Sequence, residues 1–213
     1  MSVPSLLDHV VLAGPDLEAA IDHVHRLTGV RAERGGRHPG GTANALIALT
    51  RDGARGTQYL EIIGPDPDRE GNELPETFGI ATLTEPRVVA YAIHPRDIEA
   101  QAAQAATSSH DPGPVEPLSR RTEQGTLLEW RLTRSRAALP AYLPFLIDWG
   151  ETPQPGLTTG PELEVRSFTA TVPDVWSAAE AATAFGSDIR FKTGDGVTLR
   201  LTVDGPKGEV TLI

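Results

Sequence analysis

The stretch Leu6-Leu7-Asp8-His9-Val10-Val11-Leu12-Ala13-Gly14-Pro15-Asp16-Leu17-Glu18 reads as a strand that halts at proline and restarts as a helix. Proline disfavours direct passage from strand into helix. The aspartate after it is a good N-cap, because its carboxylate accepts from the free amides of the first turn. Downstream, Leu17, Ile21, Val24 and Leu27 recur at helical spacing, and Gly29 supplies a stop. The same wording returns at Val88 to Glu99 around Pro95 and Asp97, and at Phe168 to Trp176 around Pro173 and Asp174. The three aspartates stand 81 and then 77 residues apart, too far for a solenoid period.

About three strand-like runs follow each helix. In the first copy they are Val30 to Arg34, Ala43 to Leu49 and Gln58 to Ile63; in the second, Val115 to Arg121, Thr126 to Thr133 and Pro144 to Trp149. In the third they are Ile189 to Lys192, Val197 to Val203 and Glu209 to Ile213, with hairpin turns expected at Asp195-Gly196 and Asp204-Gly205. The reading is an α+β chain of βαβββ modules with mostly antiparallel sheets. Their bounds are 5–65, 86–150 and a shorter 162–213, joined by linkers at Asp66 to Pro86 and Glu151 to Pro161, rich in proline, glycine and acidic residues.

Composition narrows the function classes. The chain of 213 residues carries 19 basic and 29 acidic residues, for a formal net charge of -10. No Lys/Arg cluster interleaves with aromatics, so no nucleic-acid partner is expected. Cysteine is absent, which removes disulfides, thiolate metal sites and a cysteine nucleophile. No apolar run reaches membrane-spanning length. No secretory signal is visible at Met1-Ser2-Val3-Pro4, so a cytoplasmic protein is the expectation.

Chemistry is signalled most clearly by His9 and by Glu61 in Tyr59-Leu60-Glu61-Ile62-Ile63. Alternation puts Leu7, His9, Val11 and Ala13 on one strand face and Tyr59, Glu61 and Ile63 on another. Val10, Leu12, Leu60 and Ile62 face the opposite way, as does Asp8, which argues against an Asp8–His9 bond. A histidine and a glutamate at matching depth in one sheet form half of a divalent metal site or an acid/base pair. His38 lies in a loop between two glycine pairs, Gly35-Gly36-Arg37-His38-Pro39-Gly40-Gly41, which permits close approach of backbone to a ligand. In the same region Arg37 is a candidate clamp for a substrate carboxylate and Asn44 a candidate for a substrate carbonyl. Trp149 is a candidate substrate contact at a strand end, with Asp148 and His94 as further pocket candidates. His23, His25 and His110 read as surface residues.

The duplicated βαβββ unit, with histidine in its first strand and glutamate in its fourth, resembles the vicinal oxygen chelate superfamily. That superfamily includes glyoxalase I, extradiol dioxygenases, fosfomycin-modifying enzymes and bleomycin-binding proteins. Leu7-Asp8-His9-Val10-Val11, the loop from Gly35 to Ala45, Tyr59 to Pro67 and Pro144 to Gly150 are similar to the bacterial glyoxalase-like domain family, over about residues 6 to 150. The resemblance implies a cupped cleft between two joined modules and a divalent metal held from the first and fourth strands of both. His9 and Glu61 match those positions in the first module. Ala90 and Ile147 occupy them in the second and cannot bind metal. His38 is the first candidate for a third ligand, making a set of His9, His38 and Glu61 suited to Fe(II), Zn, Mn or Ni.

Two functional expectations follow. One is a metal-dependent isomerase, lyase or hydrolase in which Glu61 or His38 moves a proton. The other is a metal-free protein that sequesters a small molecule. The apolar second half predicts a ligand with a polar head and an apolar tail. A homodimer is an arrangement the sequence allows.

Overall fold

The computed structural model describes residues 2–71, 73–122 and 125–213. Asn72, within the expected first linker, lies outside the described residues. Strand, helix and three strands follow one another three times. The first run is β1 (Leu7–Ala13), α1 (Leu17–Thr28), β2 (Glu33–Arg37), β3 (Thr42–Arg51) and β4 (Ala54–Pro65). The second is β5 (Arg87–Ile93), α2 (Ile98–Ala105), β6 (Val115–Arg121), β7 (Leu127–Thr133) and β8 (Phe145–Asp148). A single turn, α3 (Pro155–Thr158), precedes the third: β9 (Glu162–Val172), α4 (Val175–Ala184), β10 (Arg190–Thr193), β11 (Thr198–Gly205) and β12 (Gly208–Leu212).

Helix onset follows the aspartates. Asp16 accepts from Ala19 N, Asp97 from Ala100 N, and Asp174 from Trp176 N and Ser177 N. Helix α1 ends at Gly29, whose φ of 83° lets its amide turn back to His25 O. Leu17, Ala20, Ile21 and Val24 form its buried stripe.

All strands join one open α+β sheet in the order β12-β11-β9-β3-β4-β1-β5-β8-β7-β6, with β2 on β3 and β10 on β9. Most pairings are antiparallel. In the first two runs the strand before the helix pairs in parallel with the last strand of its own run, β1 with β4 and β5 with β8. The two runs meet where β1 and β5 pair antiparallel. The third run departs from this plan. Its strand β10 returns from α4 to pair in parallel with β9, while β11 takes the other edge of β9. Asp195-Gly196 therefore links strands on opposite edges and is not a hairpin turn. The β11–β12 hairpin does form, but Gly205 still pairs with Gly208, so the turn centres beyond the expected Asp204-Gly205. Near its start β9 also pairs in parallel with β3, which attaches the third run to the first.

The convex face of the sheet carries α1, α2 and α4 over one apolar core. Val10, Leu12, Leu60, Ile62, Phe168 and Leu201 are central to it. Leu7 belongs to this core as well, which corrects the expectation that it shares a face with His9. The register of β1 against β5 shifts between Leu7 and His9. An extra residue in one strand breaks simple alternation, so Leu7 points with Val10 and Leu12 while His9 points the other way. Across the core, Tyr91 Oη donates to Tyr142 O at 2.9 Å and lies 2.8 Å from Ser187 Oγ, tying the second run to the third.

Asp16 caps the helix that covers the paired strands β1 and β4. Asp16→Ala is expected to cost about 1 kcal/mol, the usual worth of such a cap, read as a lower midpoint in urea unfolding with an unchanged slope.

Candidate functional site

β1 and β4 are parallel neighbours, with His9 opposite Tyr59 and Val11 opposite Glu61. His9, Tyr59 and Glu61 all face the concave side. The bulge that turns Leu7 to the convex core leaves Asp8 on the side of His9, and the two side chains meet. His9 Nδ1 lies 2.6 Å from Asp8 Oδ1, against the expectation from alternation. Ionised aspartate only accepts, so Nδ1 carries the proton and Nε2 is the nitrogen left for chemistry. Nε2 points at Glu61, 3.7 Å from Oε2. The imidazole is stacked on Tyr59 at a centroid distance of 4.6 Å and meets the edge of Phe145 at 5.3 Å.

Both carboxylates are buried, and buried carboxylates are stable only with partners. Asp8 Oδ2 accepts from Trp149 Nε1 at 3.1 Å and from Gln154 Nε2 at 2.7 Å. Glu61 Oε1 accepts from Asn44 Nδ2 at 2.6 Å. The polar chain continues outward from Gln154 to His94, 3.0 Å from its Nδ1, and His94 Nε2 lies 3.9 Å from Asp148 Oδ1. A guanidinium also faces this region. Arg120, on β6, is buried, and its Nη1 donates to Gly35 O on β2 at 2.6 Å. Burial pulls its pKa below the ordinary value, and nearby Glu61 and Tyr59 act against that pull. Burial, together with Asp8 and Glu61, drives the Tyr59 hydroxyl well above the usual tyrosine range, so it stays protonated.

The candidate residues are only partly brought together. His9, Glu61 and Asn44 converge. His38 sits in the β2–β3 turn with Nδ1 3.0 Å from Thr42 Oγ1, and no hydrogen bond joins it to the cluster. It feels the cluster through space: burial lowers its pKa, Glu61 raises it and Arg120 lowers it. Arg37 is solvent-exposed, and its guanidinium pairs with Asp68 and Asp66. With Asn44 and Gly36 it lines a depression of ≈ 280 Å³. Trp149 is buried among Leu46, Tyr59, Ala92 and Ile147, so it meets Asp8 and not solvent. This corrects its reading as a substrate contact at the strand end.

Asp8, Arg120 and Gln154 are the members sequence reasoning missed. Alternation assigned Asp8 to the wrong face, and nothing in Leu118-Ser119-Arg120-Arg121 distinguishes Arg120 from its solvated neighbour. Gln154 falls in a stretch read as linker. The linker before β5 also covers the concave face. Ile80 packs with Val11, Ala13 and Ile63, and Phe78 lies 6.0 Å from Phe145.

The expected metal set can be tested on these positions. His9 Nε2 and Glu61 Oε2 are two donors on one side, and Asp8 orients the histidine as metal-site histidines are usually oriented. Among the described residues, however, no three His, Asp or Glu side chains gather as a metal-holding group. Ala90 and Ile147 offer no donor, and the Arg120 guanidinium faces the same region. The set of His9, His38 and Glu61 is not assembled, and the donors present do not fit a resident zinc or iron ion, which takes three or more protein ligands.

A family model described as "Glyoxalase-like domain" matches residues 7–186. A protein from Staphylococcus aureus, described as hypothetical, has a similar structure. It is 15% identical, with 96% of this chain and 83% of that one covered at a TM-score of 0.57. This likeness is one of fold. Looser likenesses include a variant of the Streptomyces coelicolor methylmalonyl-CoA epimerase in complex with 2-nitronate-propionyl-CoA, at 21% identity, 69% and 97% coverage and TM-score 0.41. The methylmalonyl-CoA epimerase of Mycobacterium tuberculosis gives 18% identity, 69% and 88% coverage and TM-score 0.39. No functionally curated protein matches the chain. Among the described residues no helix is long and apolar enough to cross a membrane.

Two outcomes are expected from this arrangement. Asp8→Asn turns an amide donor toward a ring nitrogen or the Trp149 N–H, and should cost about 3 kcal/mol, as breaking a buried charged contact does, measured by urea unfolding. His38 binds its proton less readily folded than unfolded, so its contribution is complete above its unfolded value of 6.5 and is lost as pH falls toward the lower folded value. Stability should therefore rise with pH through that window, and His38→Asn should flatten that part of the rise in unfolding series from pH 5 to 8.

Proposed function

The chain belongs to the glyoxalase-like domain family of the vicinal oxygen chelate superfamily, and on that footing we propose that its concave face carries out proton transfer on a small molecule. The observation that carries this reading is the buried alignment Asp8–His9–Glu61, with contacts of 2.6 and 3.7 Å. Glu61 is the group that takes or returns a substrate proton. Asn44 holds its Oε1, which leaves Oε2 toward the substrate and His9. His9 Nε2, 3.7 Å from Oε2, takes up the proton from Glu61 and hands it back, and Asp8, accepting from Nδ1, orients the ring and stabilises the imidazolium that forms. Stacking on Tyr59 fixes the ring plane.

The side chains of the second run nearest His9 are apolar, and Arg120 is the charge that this run adds. Ala92, Phe145 and Ile147 come from the second run and face the His9 side. A substrate with a polar head and an apolar tail suits these two walls. The reaction class is an isomerase or lyase step that begins with loss of a proton from carbon. Because the donor set does not fit a resident zinc or iron ion, no step here passes through either.

A second reading is sequestration without chemistry. It draws on the same apolar wall and on the cover provided by Phe78 and Ile80.

The test is solvent-deuterium incorporation, followed by NMR, into a panel of alkyl-tailed carbon acids such as 2-oxo acids, hydroxy ketones and thioesters. Wild-type protein should exchange at least one member. Glu61→Gln should slow the exchange by about 10²-fold or more, the usual share of a general base, while keeping its unfolding midpoint. Exchange should survive treatment with a chelator. Saturable binding of panel members with no exchange in any of them would move the assignment to sequestration.

A further inference from the structure

Arg120 is a buried cation that the proton-transfer reading leaves unused. It is 6% exposed, and among the described residues its guanidinium makes one hydrogen bond, to Gly35 O. No carboxylate among them forms an ion pair with it; Glu61 acts on it only through space. A guanidinium offers five N–H donors in a planar fork, and removing it from water without filling that fork is costly.

A second unsatisfied group meets the same glycine pair. Asn44, 4% exposed, has its Nδ2 on Glu61, while its Oδ1 is buried with no partner. Both groups rest against the Gly35-Gly36 backbone. A Cβ on Gly35 would collide with Asn44 Oδ1, and one on Gly36 with Arg120 Nη1. The glycine pair is therefore what allows a β3 side chain and a β6 side chain to approach the same piece of β2. Gly36 and Asn44 also line the ≈ 280 Å³ depression, whose two aspartates, Asp66 and Asp68, are paired with Arg37; Arg120 lies behind this lining.

We infer that Arg120 and Asn44 form a head-group subsite for a small monocarboxylate that bears a hydroxyl or amide N–H next to the carboxylate. The carboxylate fills the free arm of the guanidinium fork, and the neighbouring donor satisfies Asn44 Oδ1. The inference rests on the proposed function only in taking the concave face as a ligand site. It adds what the ligand's head must be. Arg37 has no part in it, since its guanidinium is already paired with Asp66 and Asp68 at the surface.

The probe is oxamate, a carboxylate next to an amide, compared with acetate, which has the carboxylate but no N–H donor beside it. Binding is read by isothermal titration and by ligand-dependent rise of the thermal midpoint, which follows mass action. Oxamate should bind saturably and at least tenfold more tightly than acetate. Arg120→Lys keeps the charge but loses the fork, and should weaken oxamate at least tenfold with little change in the free protein's midpoint. If Arg120→Lys unfolds, Arg120→Ala with and without added methylguanidinium replaces it, and restored oxamate binding is then expected. His9→Ala should abolish deuterium exchange and leave oxamate binding intact. Oxamate binding that is absent, or unchanged by loss of Arg120, overturns the subsite even if wild-type exchange is observed. Arg120-dependent oxamate binding in a protein that exchanges no carbon acid leaves the subsite standing and overturns proton transfer.

Discussion

The contact between Asp8 and His9 organises the concave side of this protein, and it exists because β1 is irregular. In a regular strand adjacent side chains diverge to opposite faces. The register shift between Leu7 and His9 against β5 removes that divergence at one place. Leu7 then packs with Val10 and Leu12 in the convex core, while Asp8 and His9 lie together on the other side. Around the pair the rest follows by satisfaction of charge. Asp8, buried, draws Trp149 Nε1 and Gln154 Nε2, and His9, committed through Nδ1, presents Nε2 to Glu61.

The two joined runs share a topology but not a chemistry. The first contributes His9, Asn44 and Glu61 from β1, β3 and β4. The second contributes Ala92, Phe145 and Ile147 from its matching strands, together with Arg120 from β6. A cation on a fixed side chain thus faces a carboxylate on the opposite run, where a symmetric pair of runs would present donors from both sides. Gly35 and Gly36 are essential to this approach, because a side chain on either would occupy the space of Asn44 or Arg120.

The connecting stretches are part of the same construction. Gln154, just before α3, supplies one of the bonds to Asp8. Phe78 and Ile80, before β5, lie over Phe145, Val11 and Ala13. Segments rich in proline, glycine and acidic residues read as spacers by composition, yet these supply both a hydrogen bond and an apolar cover to the centre of the molecule.

The sequence by itself determined the order of strands and helices, the three aspartate caps, the helix stop at Gly29 and the inward direction of Glu61 between Leu60 and Ile62. These depend on interactions within a few residues: a carboxylate reaching the next turn, a glycine taking positive φ, alternation along a regular strand. Ala90 and Ile147 are apolar wherever they point, so their lack of metal donors was legible too, whereas the charge that Arg120 brings from the same run was not. Only the tertiary structure decided that Asp8 turns to His9, that Trp149 and Gln154 serve Asp8, that Arg120 enters from β6, and that β10 pairs with β9 in place of completing a meander. Each of these is set by a neighbouring strand's register or by residues more than fifty positions away, as with Gly35 and Arg120 or Asp8 and Trp149. The bulge in β1 is the clearest case: no glycine or proline in Leu7 to Ala13 marks it, and the shift appears only in the pairing with β5.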